Sequence, residues 1–531
     1  MQEDLPYCKT GFFSELILDY LDQNPKLESF YSHFPTIENF GKQIKNKKSQ
    51  FTKSKREILH TYFKKQYQLV STGAVVEGQI SSLLDADTFT VTTGHQLNIF
   101  TGPLYFLYKI VSTINLCKEL KQAYPAFNFV PVYWMATEDH DFDEISFFHH
   151  KKQKMIWEQK EEGAVGRMKT KSMHQLVDDF CEKLGNSEPA MKLKSIFIKS
   201  YKYHETLAEA TFYLVNELFA SEGLLIIDAD QPELKRQAIP YFEKDLFVNL
   251  AENKVHQTST QLHKQGYPTQ VNPRNINLFY LKDGLRERII FEENEFLVVG
   301  TSIRFSKEEM KTELQNYPER FSPNVILRPL YQEVILPNLC YIGGGGELAY
   351  WFQLKDYFQS SKVEFPILLL RNSALLYSKK QAKKIKKLNL NLEDLFLDEV
   401  SFKEKITHQI SSIDIDFSDQ KKFLAKQFEE LYQVATQTDA SFKGAVAAQE
   451  QKQKNGLEHL EKRLLKAQKR KHEDFLKRAT KLQLSLFPNY LLQERHDNFS
   501  FYFVESKGEL IDLLLSKLSP LKLKFDLIQY D

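Results

Sequence analysis

Four clusters in this chain combine residue types that could do chemistry. The first is Gly94-His95-Gln96, with Asn98 and Gly102 close behind, in TVTTGHQLNIFTGPLYFLYKI. A β-branched run there gives way to a helix-like pattern. Glycine at such a junction lets backbone approach a ligand, and a helix N-terminus adds free N–H groups with a positive partial charge. Phosphate or carboxylate is the fitting guest. His95 could donate to that anion or act on a proton, or it could simply cap the helix. The spacing is not GxGxxG, so the dinucleotide fingerprint is absent.

The second cluster, TEDHDFDE, puts Glu138, Asp139, His140, Asp141, Asp143 and Glu144 on one loop. It reads as a cation site, as groups that position an amine nucleophile or supply a general base, or as a polar cap on a helix. Neither HExxH nor an EF-hand pattern is present, so the spacing selects no metal. The third is Gly343, Gly344, Gly345, Gly346 and Glu347 in CYIGGGGELAYW, an anion cradle, a wall against a flat ligand, or a hinge. It lacks the Lys-Ser/Thr of a P-loop. The fourth is Arg371-Asn372, where the guanidinium could clamp an acid bidentately or form an ordinary surface ion pair.

Stepping along the chain shows what must position these groups. The first eighty residues have apolar positions at helical spacing. A short β-branched segment, 88–93, and continuous apolar runs at 129–135, 223–230, 324–330 and 365–376 then mark strands, the runs being the sign of burial on both faces. A helix from Pro103 to about Lys121 follows the first, and another helix follows the fifth. Strands alternating with helices predict an α/β fold with a doubly wound parallel sheet. Its ligands bind at the carboxyl ends of the strands, where the four clusters fall. Two gaps are too long for simple crossovers and read as insertions. One contains KMIWEQKEEGAVGRMKTKSM, expected as a hairpin. The other is an antiparallel meander with turns at Asp283-Gly284 and near Asn294.

From about Ser418 to Leu486 glycine and proline nearly vanish. Leu424, Phe428, Leu431 and Ala435, then Leu457, Leu460, Leu464 and Ala467, step like a coiled-coil seam. A break near Asp439 predicts an antiparallel helical hairpin ended by Pro488, after which the tail returns to the core. The resulting division is 1–146 for N-terminal helices and the start of the core, and 147–222 for the first insertion. Core residues 223–264, the second insertion 265–320 and core residues 321–390 come next. The helical domain is 391–487 and the returning segment 488–531.

Composition narrows the class. The 71 Lys+Arg and 70 Asp+Glu residues give a formal net charge of +1, which supplies no drive toward nucleic acid or an anionic membrane. The run KKQAKKIKK, 379–387, lacks interleaved aromatics and reads as a solvated helix face. The start, MQEDLPYCKTGFF, is no secretory signal, and no apolar stretch is long enough for a membrane span. Four scattered cysteines without a CxxC pair fit free thiols in the cytoplasm.

TTGHQLNIFTGPLY, VPVYWMATEDHDFDEI, ILRPLYQEVILPNLCYIGGGGELAYW, FPILLLRNS and LFPNYLLQER occur in this order. With these motifs over nearly its whole length, the chain resembles the bacillithiol biosynthesis family BshC. The resemblance implies a Rossmann-like core, two connecting-peptide insertions and a coiled-coil domain that mediates homodimerisation. It implies a cysteine ligase that adds cysteine to the amine of glucosaminyl-malate in the last step of bacillithiol synthesis. Gly94, His95 and Gln96 would occupy the phosphate-binding histidine loop of the nucleotidyltransferase superfamily, whose paired-histidine signature is reduced here to His95. Asp139, His140 or Asp141 would take the amine's proton, with Asn98, Glu138 and the glycine run with Glu347 lining the pocket and Arg371-Asn372 holding the malate carboxylate. The family's association with an adenine nucleotide, bound away from the expected active site, makes ATP or ADP the expected cofactor, while the activation chemistry and any metal requirement stay open. The alternatives are a nucleotidyltransferase-like enzyme acting on another carboxylate, or a non-catalytic coiled-coil assembly protein.

Overall fold

Five short segments rich in apolar and β-branched residues pair side by side in the computed structural model, which describes residues 4–70 and 72–531. Met1–Glu3, the start of the stretch read above as no secretory signal, lie outside the described residues. The strands are β1 (Thr88–His95), β2 (Asn128–Met135), β3 (Leu225–Asp228), β4 (Asn338–Gly343) and β5 (Ile367–Leu370). Their order is β5-β4-β1-β2-β3 and every pairing is parallel. All residues of β1 are buried, so its sequence shows a run rather than an alternation. Its hydroxyls are satisfied internally: Thr92 donates to Asn338 Oδ1 at 2.9 Å and Thr93 to the Ile342 carbonyl at 2.8 Å.

From β1 the chain winds outward through β2 and β3, then returns to lay β4 on the other side of β1. The direction of winding therefore reverses between β1 and β4, which opens a crevice at their carboxyl ends. Three helices frame that crevice: α1 (Tyr105–Ala123), α2 (Leu327–Ile335) and α3 (Gly345–Phe352).

Two expected strands are corrected. Residues 324–330 form the loop and first turn of α2, not a strand; β4 lies just beyond, at Asn338–Gly343. Asn324 Oδ1 accepts the N–H groups of Ile326 and Leu327, and Pro329 sits in the first turn, where its missing N–H costs nothing. Because the later turns of α2 are buried all round, periodicity cannot separate it from a strand. The run 365–376 is two strands, β5 and Ser373–Ser378, which belong to different sheets and part at Arg371-Asn372.

The first insertion's hairpin lies earlier than expected, Phe147–His150 with Gln153–Ile156, and its turn carries Lys151 at φ 51°. KMIWEQKEEGAVGRMKTKSM supplies only its last strand residues and two 3-10 turns. The meander forms as expected from Leu278–Lys282, Leu285–Glu292, Glu295–Val298 and Arg304–Phe305, turning at Asp283-Gly284 and Glu293-Asn294. Phe321–Pro323 joins its edge.

Helices α4 (Ser418–Ala435) and α5 (Ala440–Lys471) run antiparallel, since Tyr432 bonds Glu450 while Lys421 bonds Glu461. Asp439 caps α5 by accepting the Phe442 N–H. Leu424, Phe428, Ala435 and Val446 form the seam, whereas Leu431 and Leu460, expected in it, are 43% and 54% exposed. After α6 (Glu473–Leu486) and Pro488 the chain returns to the body. Phe525–Tyr530 pairs in parallel with Ser373–Ser378, and Asn498 Nδ2 donates to the carbonyls of Phe100 and Gly102.

Where the helix Ile239–Val248 meets the meander's entry, Asp245 is buried and accepts both the backbone and side-chain N–H of Asn277, at 2.6 and 3.0 Å. Burial nonetheless pushes its carboxyl up to about 7. A carboxyl with a raised folded pKa keeps its proton while the unfolded chain loses it, so its contribution to stability declines as pH rises from about 4 to about 7. Urea midpoints measured across that window should fall less steeply for Asp245→Asn than for the wild type.

Candidate functional site

A cavity of about 790 Å3 occupies the crevice. Gly94, His95 and Gln96 at the end of β1 line it, with Glu138, Asp139 and His140 after β2, Gly344, Gly345, Gly346 and Glu347 after β4, and Arg371 after β5. Asn98, Asp141, Gly343 and Asn372 do not. Asn98 donates to the Glu144 carbonyl, and Asp141 caps the turn Phe142–Ile145 by accepting the Glu144 N–H. Gly343 ends β4 where a Cβ would lie 3.0 Å from Tyr341, Glu347 and Leu348, so its glycine answers crowding. Asn372 is buried among Ser112, Ser519 and Asp526.

At the centre Lys109, one turn into α1, is buried. Its ammonium meets Glu347 Oε2 at 2.5 Å and donates to the Gly94 carbonyl at 2.7 Å. Glu347 also accepts the Tyr341 hydroxyl at 2.6 Å and the Gly344 N–H at 2.8 Å. Burial would raise the Glu347 carboxyl, but Lys109 and these donors hold it below its usual value. Burial lowers the Lys109 ammonium although Glu347 opposes the shift. The glycine run is thus capped by the chain's own carboxylate, and no glycine in it has positive φ. Beside it His95 packs against Tyr105 and Phe106, and its Nε2 is buried without a hydrogen-bond partner. Burial, then the charges of Lys109 and Arg371, keep this imidazole neutral.

The acidic loop divides by role. Burial alone would raise Asp139, but hydrogen bonds from His140 and from Gln96 Nε2 (2.8 Å), with the Arg286 charge, hold it well below the carboxylate range. Gln96 Nε2 also donates to Glu144, at 2.7 Å, so this amide ties the β1 loop to the β2 loop. His140 Nδ1 lies 2.7 Å from Arg286 Nη1; since a guanidinium only donates, this nitrogen accepts. Glu138 pairs with the fully buried Lys235, which also meets Asp230 at 2.9 Å. Burial raises the Glu138 carboxyl despite that partner. Among the described residues no group of three or more His, Cys, Asp or Glu is arranged to hold a metal ion, and no helix is long and apolar enough to cross a membrane.

Two family models match this chain. "Bacillithiol biosynthesis BshC, N-terminal Rossmann-like domain" covers residues 1–372 and "Bacillithiol biosynthesis BshC, C-terminal coiled-coil domain" covers 374–530. The chain belongs to the BshC family. Among curated BshC relatives it is 53% identical to one from Flavobacterium johnsoniae over 524 residues, 99% of each chain. It is 49% identical to one from Christiangramia forsetii, covering 99% of this chain and 98% of the relative, and 26% to one from Bacillus cereus, covering 94% and 95%. Each carries the name "Putative cysteine ligase BshC".

In this BshC chain Arg371 does not present the bidentate fork that its position suggested. Nη2 bonds Glu494 at 2.7 Å, and Nη1 bonds the Asn372 carbonyl and Ser373 Oγ. Only Nε, buried and without a partner, remains. The cationic side chains that sequence reasoning missed are Lys109, Arg274, Arg286, Arg328 and Arg495. With Arg371 they outnumber the four lining carboxylates, so the cavity suits an anion. Arg328 lies over the Trp134 and Tyr341 rings and donates to Gln332 and Tyr350. Placing 324–330 on a strand hid it. Arg286 and Arg495 come from the meander and the tail, and only the fold brings them here.

Glu494 holds Arg371 and also accepts the Ala374 N–H, all out of solvent. Glu494→Ala would leave a buried guanidinium unpaired. It should cost about 3–5 kcal/mol of stability, read from denaturant midpoints.

Proposed function

We propose that this protein is a cytoplasmic ligase that joins the carboxyl group of cysteine to the amine of glucosaminyl-malate, the last step of bacillithiol synthesis. Membership of the BshC family supports the substrate class, and the four free cysteines accord with a reducing compartment. The observation that carries the chemistry is a pair of buried, unpartnered nitrogens, His95 Nε2 and Arg371 Nε, lining one cavity with a carboxyl of raised proton affinity, Glu138.

Amide formation needs an activated carboxyl, an oriented amine and a proton acceptor. Neutral His95 and Arg371 Nε suit an acyl or phosphoryl oxygen that gains charge, in a setting where burial strengthens each hydrogen bond. Arg328 adds positive charge to the same cavity, which fits the phosphates of ATP or ADP. When bound, ATP would supply the leaving group that activates a carboxyl. Among the acidic-loop groups, Glu138 is the fitting proton acceptor. Asp139 is held too acidic, His140 already accepts from Arg286 at Nδ1, and Asp141 caps a turn away from the cavity. Glu138→Gln should lower kcat for amide formation by about 10²–10⁴-fold with little change in the KM for cysteine. In a deletion strain, His95→Ala should fail to restore bacillithiol, and undiminished thiol would remove His95 from the mechanism.

We also propose that the helical hairpin mediates a homodimer. Phe423, Leu431, Val434 and Leu460 are 71%, 43%, 52% and 54% exposed, although two of them keep the seam spacing. An apolar stripe left outside the intramolecular seam fits a second copy. Sedimentation of Leu431→Glu/Leu460→Glu should report monomer where the wild type reports dimer.

A further inference from the structure

Lys235 ends the short helix Pro232–Lys235, just beyond β3, and none of its side chain reaches solvent. A buried ammonium has three N–H donors to satisfy. Lys235 spends them on Glu138 Oε1, on Asp230 Oδ1 at 2.9 Å and on the Glu319 carbonyl at 3.1 Å. These acceptors come from the loop after β2, the end of β3 and the turn Pro318–Arg320 that closes the second insertion. The ammonium is therefore fixed from three sides, with Glu138 the one acceptor that lines the first cavity.

The two carboxylates do not share this cation on equal terms. Asp230 Oδ2 also accepts Arg167 Nε at 3.1 Å and Nη2 at 2.8 Å. Among the described residues no second cation bonds Glu138. Arg286 lies near it, but gives Nη1 to His140 and Nε to Ser322. Burial would raise both carboxyls. Lys235 and Arg167 hold Asp230 below its usual value. Burial keeps Glu138 raised against the Lys235 charge, and the Asp230 charge adds to the rise. Also facing this trio are Tyr331 of α2, whose hydroxyl donates to the Ala229 carbonyl, and Asp228, with Asp139 and His140 on the loop of Glu138 itself.

We propose that Lys235 and Asp230 are positioning residues for amide formation: Lys235 divides its charge between Asp230 and Glu138, and that division decides when Glu138 is free to take the amine's proton. The part in amide formation rests on the ligase reading above; the control of Glu138 does not.

The two residues should act in opposite directions. Lys235→Met removes the cation that favours the carboxylate, so Glu138 keeps its proton to higher pH. Asp230→Asn removes the competing carboxylate and leaves the ammonium to Glu138, so the proton departs at lower pH. Mere loosening of the fold gives no reason for opposed shifts.

The test is a pH titration of the full-length protein by infrared difference spectroscopy. Each form is measured against the same form carrying Glu138→Gln, so that the Glu138 carboxyl alone is read. The midpoint should rise by about 1–3 pH units in Lys235→Met and fall by about one in Asp230→Asn. The acid side of the kcat profile for amide formation should move with it in both variants. Should Lys235→Met fail to fold, Asp230→Asn carries the test, since it is isosteric and its side chain lines a second cavity, of about 1080 Å3. Midpoints that stay put or move the same way, or an Asp230→Asn midpoint that does not fall, would overturn this inference alone. So would a kcat profile that ignores the midpoints. Shifts as expected, with no amide formation even in the wild type, would overturn the ligase reading and leave the control of Glu138 standing.

Discussion

The site depends on one buried ammonium. Lys109 reaches from α1 to the carboxyl end of β1, through the Gly94 carbonyl, and to the first turn of α3, through Glu347. These three elements meet where the winding of the sheet reverses. Removing a charge from water costs several kcal/mol, and only a close carboxylate with further hydrogen bonds offsets that cost. Glu347 is held in turn by Tyr341 and the Gly344 N–H, so the pair fixes both lips of the crevice with one set of bonds. Lys109 also adds to the field that keeps His95 neutral, which makes the charge state of the imidazole a property of the whole junction.

Much of the fold could be read from local pattern. β1 is short and β-branched, β2 and β3 are short and apolar, and the meander's Asp-Gly turn forms where the dipeptide occurs. The errors have a common physical cause, burial on every side. Leu327–Ile335 carries no exposed face in its later turns, so helix and strand look alike there. Leu431 and Leu460 show the converse, since both keep heptad spacing while lying outside the hairpin's own seam. Spacing identifies an apolar stripe but not what covers it.

The candidate site was legible as places more than as roles. Gly94-His95-Gln96, the acidic loop and the glycine run do converge on one cavity. Their partners decide what each can do, and those partners lie far off in sequence. Asp139 reads as a base until Gln96 and Arg286 are seen to hold it acidic, and Arg371 reads as a fork until Glu494 takes one arm. Glu138 seemed one acid among several, and its burial beside Lys235 sets it apart. The insertions, which carried no motif, supply Arg274 and Arg286.

The pairing of Arg371 with Glu494 spans 123 positions, and the helical hairpin lies between them. During synthesis the sheet and the glycine run emerge long before that carboxylate does. A nascent chain would hold an unanchored guanidinium in its half-built crevice throughout translation of the hairpin. The crevice is therefore completed only after the hairpin has been made.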